Sequence, residues 1–235
     1  MRGAEAYVRN AEHMWRSFQN VVAAPEGVFG VAVAGGARYL IRRPLASESV
    51  AGLVRALPPG GRVIVEDPYG APPVVVPGTT VLRMPVMNRA PADVEESHRP
   101  DTTVGAVNDS AALAEAERVM VDGFPFPHLQ PWQAGQALPA RVLRLPGWKV
   151  WLARRGGVAA AACYTFDDGT AVGVYWLATL AEHRSTGLGS VVMNAALAAH
   201  RGRTATLVAT EAGIPLYRRL NFTVTSTATW YIRGS

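Results

Sequence analysis

The sequence predicts an α/β chain of 235 residues: a mixed, mostly antiparallel central sheet flanked by helices, with a smaller N-terminal α/β lobe ahead of it. Three observations predict it. Tyr7, Ala11, Met14, Trp15, Phe18 and Val22 recur at helical spacing near the start. Three apolar runs, Trp148–Ala153, Gly157–Tyr164 and Thr170–Leu180, are separated only by the turns Arg155-Gly156 and Asp167-Asp168-Gly169, a pattern of antiparallel hairpins. An apolar helical stretch, Ser190–His200, then leads into a β run, Thr204–Ala209.

Taken in order, the first helix is stopped by Pro25, Glu26 and Gly27. Val28–Ala34 and Arg38–Ile41 are strands around the turn pair Gly35-Gly36. A second helix is expected over Ser47–Ala56, with Ser47 as N-cap and Pro58-Pro59-Gly60-Gly61 as its stop. Val63–Val65 and Val74–Val76 read as strands on either side of the turn Asp67-Pro68-Tyr69-Gly70. Residues 85–101, rich in proline and charge, read equally as a linker and as a surface loop with a short helix around Asp93–Ser97. They place a boundary near residue 100, giving domains 1–100 and 101–235. Beyond it Val104–Val107 is a strand, and Asn108-Asp109-Ser110 offers N-cap chemistry to a helix over Ala111–Val121. A loop of glycine, proline and aromatics precedes the hairpins. Ile214–Leu220 is a short helix and Phe222–Ile232 a final strand or pair.

Composition narrows the function classes. With 49% apolar and 17% charged residues the chain can bury a core. No run approaches the roughly 18 apolar residues of a membrane span, and the first residues lack a signal-peptide core. A cytoplasmic protein is expected, with no membrane partner. The single cysteine, Cys163, excludes an internal disulfide and reads as a buried structural thiol in an apolar strand. The net charge of +5 is carried almost wholly by scattered arginines, Lys149 being the only lysine. No basic stripe with interleaved aromatics exists, which speaks against nucleic acid and leaves attraction of a polyanionic small molecule. His13, His98, His128, His183 and His200 share no ligand spacing, so no metal is expected.

The chemistry lies at Leu177–Ser190, which runs straight into an apolar helix. A strand, a glycine-rich turn and a helix start make an anion site: the first helical turn has unpaired N–H groups and the dipole favours negative charge. Gly187 and Gly189 let the backbone approach a pyrophosphate, Arg184 adds a charge-assisted contact, and Ser190 offers a hydroxyl or a cap. A dinucleotide fingerprint fails for want of a third glycine, and a P-loop fails because no Gly-Lys-Ser/Thr occurs.

Arg184-x-x-Gly187-x-Gly189 resembles the Q/R-x-x-G-x-G/A acyl-CoA signature of the GNAT acyltransferase superfamily. The segment from Ala209 through Tyr217 to Phe222 resembles the same superfamily's closing L-Y-x-x-x-G-F motif, with one helix and one strand between the two. The resemblance covers about 150–233 and extends more thinly back to 102. It implies acetyl-CoA or another acyl-CoA as cofactor. Leu177, Ala178 and Thr179 would line the pantetheine arm, and Ser185, Thr186, Gly187, Leu188, Gly189 and Ser190 would hold the pyrophosphate. Tyr217 would be the general acid, with a backbone N–H near Leu177 or Ala178 polarising the acyl carbonyl. Thr210 stands where the family often has a cofactor-side asparagine, and Asn221 replaces the closing glycine. The loop bearing Phe124, Phe126, His128 and Trp132 would line the acceptor site. No carboxylate lies in the strand before the motif. Glu211, Glu182 and Asp122 are its substitutes by position, each reading more readily as a solvated charge.

The resemblance implies transfer of an acetyl or short acyl group to a primary amine of a small molecule. A non-catalytic acyl-CoA sensor and a protein or peptide N-acetyltransferase are the alternatives. Residues 1–100 read as a degenerate half of such a lobe, as a dimerisation domain giving a homodimer, or as an acceptor-selecting domain.

Overall fold

The computed structural model describes residues 3–57, 61–95, 99–124 and 126–234. In chain order the first elements are α1 (Glu5–Phe18), β1 (Val21–Val22), β2 (Val28–Val33), β3 (Gly36–Ile41), α2 (Ser47–Ala56), β4 (Arg62–Asp67) and β5 (Thr79–Arg89). Then come β6 (Thr102–Ala106), α3 (Ser110–Gly123), β7 (Trp148–Arg155), β8 (Val158–Asp167) and β9 (Ala171–Thr179). The last are α4 (Leu188–Ala198), β10 (Thr204–Val208), α5 (Ile214–Arg219) and β11 (Thr223–Arg233). The chain forms two compact units, one of Met1–Asn88 with Thr206–Ser235 and one of Arg89–Ala205. The units are therefore not the consecutive blocks 1–100 and 101–235.

In the first unit the strands run in the order β1-β2-β3-β4-β11-β5, continuing to Thr206–Val208 of β10. β3 and β4 are parallel, while β1–β2, β2–β3, β4–β11 and β5–β11 are antiparallel. The C-terminal β11 thus lies between two strands of the first ninety residues, with Trp230 opposite Glu66 on one side and Leu82 on the other. Alternation along the strands divides the two faces. On one, Val28, Tyr39, Ile41, Val63, Val65 and Tyr231 pack against Val50, Ala51, Leu53 and Val54 of α2. On the other, α1 delivers Tyr7, whose hydroxyl donates to Glu66 Oε1 at 2.6 Å. Arg38 donates to Glu66 Oε2, and its guanidinium lies 4.2 Å from the Trp230 ring.

Several expectations change here. The first helix ends at Phe18, because Gln19 is extended and the β-branched Val21 and Val22 form a strand. Ala46, not Ser47, is the N-cap of α2; the Ser47 hydroxyl donates to Pro72 O at 2.8 Å. Val74–Val76 form no strand, since Pro72, Pro73 and Pro77 deprive the segment of ladder donors. Val76 is instead buried in the core, and the Val74 N–H donates to Tyr231 Oη. Residues 85–89 of the expected linker belong to β5. Asp93–Glu95 are not helical; the Arg89 guanidinium holds that segment through the carbonyls of Ala92 and Asp93. Ser97, His98 and the Pro58–Gly60 stop lie outside the described residues.

The second unit is a four-stranded meander in the order β9-β8-β7-β6, antiparallel throughout, with α3 and α4 packed on it. Asp109 caps α3 as expected, accepting from the Ala112 N–H at 2.8 Å. In the inner strand β8 the run Ala160–Phe166 is buried residue by residue, so both faces are covered. Its small side chains at Ala160, Ala161, Ala162 and Cys163 let the covering segments approach closely. Burial pushes the Cys163 thiol up, which keeps it protonated and inert. Leu188, Val191, Val192, Met193, Ala196 and Leu197 bury one side of α4. The large apolar side chains among these contribute about 1.5–3 kcal/mol each. Among the described residues no helix is long and apolar enough to cross a membrane, and no His/Cys/Asp/Glu group could hold a metal.

Candidate active site

The register of β9 against β8 breaks once. Ala162 pairs with Ala178 and Tyr164 with Tyr175, leaving Cys163 opposite both Trp176 and Leu177. This is a β-bulge, and Trp176 takes a left-handed φ of 51° to make it. A bulge withdraws residues from the ladder and re-aims their side chains. Leu177, Ala178 and Thr179 follow it directly.

After β9 the chain makes a single turn over Ala181–His183 and reaches α4 through two more left-handed residues, Ser185 (φ 61°) and Gly187 (φ 86°). Alternation of left- and right-handed residues points successive N–H groups into one concavity. Among the described residues the N–H groups of Ser185, Thr186, Gly187, Leu188 and Gly189 have no acceptor; that of Ser190 bonds back to Gly187 O at 3.0 Å. No acidic side chain enters the first turn of α4 to occupy them. Five free donors at the positive end of a helix dipole are the complement of a pyrophosphate. Of the expected anion-holding backbone, Ser185–Gly189 thus have donors to give and Ser190 does not.

Arg184, expected at the phosphate, makes two hydrogen bonds within the protein. Its Nε donates to Thr179 O at 3.2 Å and its Nη2 to Gly123 O at 3.0 Å. It ties the loop to the end of β9 and the end of α3. Those two ends meet closely, since a Cβ on Gly123 would stand 2.7 Å from that of Ala178. The charge beside the loop comes from Arg99, which no sequence signal marks. Its Nη2 lies 2.7 Å from where a Cβ on Gly187 would stand, so a side chain there would displace the guanidinium, while the φ of 86° by itself calls for glycine.

The acceptor-side residues Phe124 and Phe126 lie just after α3. Phe126 stacks on Phe124 at 5.3 Å and meets His128 at 5.6 Å and Trp176 at 5.1 Å. All four rings are half-buried. Trp132 stands apart beneath the Arg118 guanidinium, 5.7 Å away, and its buried Nε1 has no acceptor among the described residues. The intervening loop is held by Glu117, fully buried, which accepts from the N–H groups of Gly135, Ala137 and Leu138 at 2.6–2.8 Å. Asp122 is engaged by Gln130 and Arg118, and Glu182 is exposed. At the far end of α4, His200 Nε2 lies 3.3 Å from Thr165 Oγ1 and Nδ1 3.7 Å from Asp167. Thr165 is fully buried, so this set is structural; burial lowers the His200 pKa against the pull of Asp167.

Tyr217, Thr210 and Glu211 belong to the first unit. Tyr217 is 8% exposed, lies edge-on to Phe222, and packs so closely on Gly213 that a Cβ there would meet the ring at 2.7 Å. The same absent Cβ would be 3.5 Å from Thr210 Oγ1, so glycine at 213 lets both residues sit around it. Thr210 and Glu211 are exposed. Asn221 takes the left-handed φ of 61° expected of a residue replacing the closing glycine.

A family model for the acetyltransferase (GNAT) domain matches residues 146–224. No curated protein matches the sequence. A GCN5-related N-acetyltransferase from Kribbella flavida superimposes with a TM-score of 0.65 at 20% identity, over 100% of this chain and 97% of its own. One from Sphaerobacter thermophilus gives 0.59 at 14% identity, over 99% and 94%. A GCN5-related N-acetyltransferase-like protein from Streptococcus suis gives 0.58 at 9% identity, over 92% and 88%. The chain has the fold of these proteins along its length, and its residues 146–224 are similar to the acetyltransferase (GNAT) domain.

Proposed function

We propose that the chain is an N-acetyltransferase that moves an acetyl or short acyl group from acyl-CoA to a primary amine of a small molecule by direct attack. The observation that carries this reading is the row of five unpaired N–H groups from Ser185 to Gly189, placed just after the bulged β9. Acetyl-CoA supplies the reactive thioester carbonyl and a thiolate leaving group. In this reading the Ser185–Gly189 backbone binds the pyrophosphate, and the Leu177–Thr179 backbone pairs with the extended arm as an added strand. A backbone N–H near Leu177 or Ala178 polarises the acyl carbonyl. Tyr217 holds a proton on Oη for the departing sulfur. Thr210 sits on the cofactor side, and the loop of Phe124, Phe126 and Trp132, with Glu211, faces the acceptor. The amine nitrogen bonds to the acyl carbon, the carbon–sulfur bond breaks, and the amine's proton leaves to water.

Tyr217→Phe tests the assignment. Turnover, followed by thiol release with a panel of amines, is expected to fall by about 10²–10⁴-fold. The dissociation constant for acetyl-CoA stays where it was. If the unaltered protein binds acetyl-CoA yet acetylates no amine, it is a sensor and not an enzyme.

A further inference from the structure

We propose that the acceptor is an amine borne on an aromatic or apolar ring body, held against Trp176 and Phe126. The inference rests on the acyltransferase reading and narrows its acceptor. It starts from Trp176, the bulge residue itself, whose φ of 51° is strained for a bulky side chain. Glycine would relieve that strain, yet the position carries the largest side chain available, half-exposed and braced on Tyr164 at 5.9 Å and Phe126 at 5.1 Å. Strain held by packing in this way marks sites of function.

Trp176 also precedes Leu177–Thr179, the backbone assigned above to the acyl-bearing arm. An amine reaching the acyl carbon there meets the Trp176 ring one residue away, with Phe126, Phe124 and His128 behind it. Ring faces bind flat apolar bodies by offset stacking and attract an ammonium group as it approaches.

The charges of α3 do not favour the opposite class. A polycationic acceptor needs free carboxylates, and every carboxylate of α3 is already engaged. Glu117 is buried under three backbone N–H groups, Glu115 pairs with Arg154 at 2.9 Å, and Asp122 accepts from Gln130 and Arg118.

The test measures acetyl-CoA-dependent acetylation of 2-phenylethylamine, spermidine and kanamycin by the full chain. The kcat/KM for phenylethylamine is expected to exceed both others by at least about tenfold, the usual discrimination of an apolar site. Phe126→Ala and Trp176→Ala, made separately, are each expected to raise the phenylethylamine KM about 3–10-fold while the acetyl-CoA KM does not move. Spermidine or kanamycin turned over as well as phenylethylamine, or a KM unmoved in both variants, overturns the inference and leaves the acyltransferase reading intact. Acetyl-CoA binding with no amine acetylated overturns both.

Discussion

Each unit contains a strand that leads into a helix, and the two connections differ in the backbone features proposed above to hold an anion. In the first unit β3 passes through Arg42–Ala46 into α2. β3 pairs with β2 and with β4 without a register break, and the parallel pair is so close that a Cβ on Gly36 would lie 1.7 Å from Arg62 O. The loop has no glycine, its cap Ala46 is extended, and Glu48 places a negative charge in the first turn of α2. In the second unit β9 is broken by its bulge, Ser185 and Gly187 turn left-handed, and the first turn of α4 has no acid. The topology of a crossover does not make a phosphate site; the local backbone does.

The largest way to break the comparison is Gly187→Val. It forces a β-branched residue into a left-handed conformation and drives its side chain into Arg99. Acetyl-CoA affinity, read by calorimetry, is expected to fall roughly 100-fold or more, from a loss of about 3 kcal/mol. Arg43→Gly in the first crossover is expected to leave it unchanged; an equal loss there would put the ligand in the wrong unit. Next comes Arg184→Ala, which frees the loop from Thr179 O and Gly123 O. Loss of two charged hydrogen bonds at a partly exposed site is expected to cost about tenfold in affinity and a few degrees in melting temperature, about 1–2 kcal/mol. A melting temperature that holds while affinity falls would instead give Arg184 a direct phosphate contact.

The smallest effect concerns Asp67, which ends β4 nearly fully buried, its Oδ1 accepting from the Tyr69 N–H and its Oδ2 without a donor among the described residues. Burial raises its pKa above the ordinary 3.8. The folded state therefore binds this proton more readily than the unfolded state. The stability that the neutral form confers at low pH is lost as pH rises through the raised value. Asp67→Asn keeps the Tyr69 bond and removes the charge. It is expected to raise the melting temperature at pH 7.5 by a few degrees, the equivalent of about 1 kcal/mol, and to give no gain at pH 4. A gain of equal size at both pH values would mean that charge is not the cause.

Sequence carried the second unit better than the first. The hairpins of β7, β8 and β9 are local, so their turns and apolar runs declared them, and Asp109 declared the start of α3. β5 was hidden because Arg83, Pro85 and Asn88 spoil its alternation and its partner comes from the other end of the chain. At the site, Gly187 and Gly189 were legible because the phosphate contact proposed for them needs bare backbone. Arg99 was not, because a guanidinium in a polar loop announces nothing until folding sets it over Gly187. The bulge was equally silent, for it carries tryptophan where a glycine would have drawn notice.

The place of β11 sets a timetable. At about 5–20 residues per second, on the order of ten seconds of synthesis separates the completion of β5 from that of β11. All that time β4 and β5 lack the strand that joins them, and each shows a bare edge on which a foreign strand can build. The second unit has its whole chain before the first unit does. The half of the protein that is made first is therefore finished last.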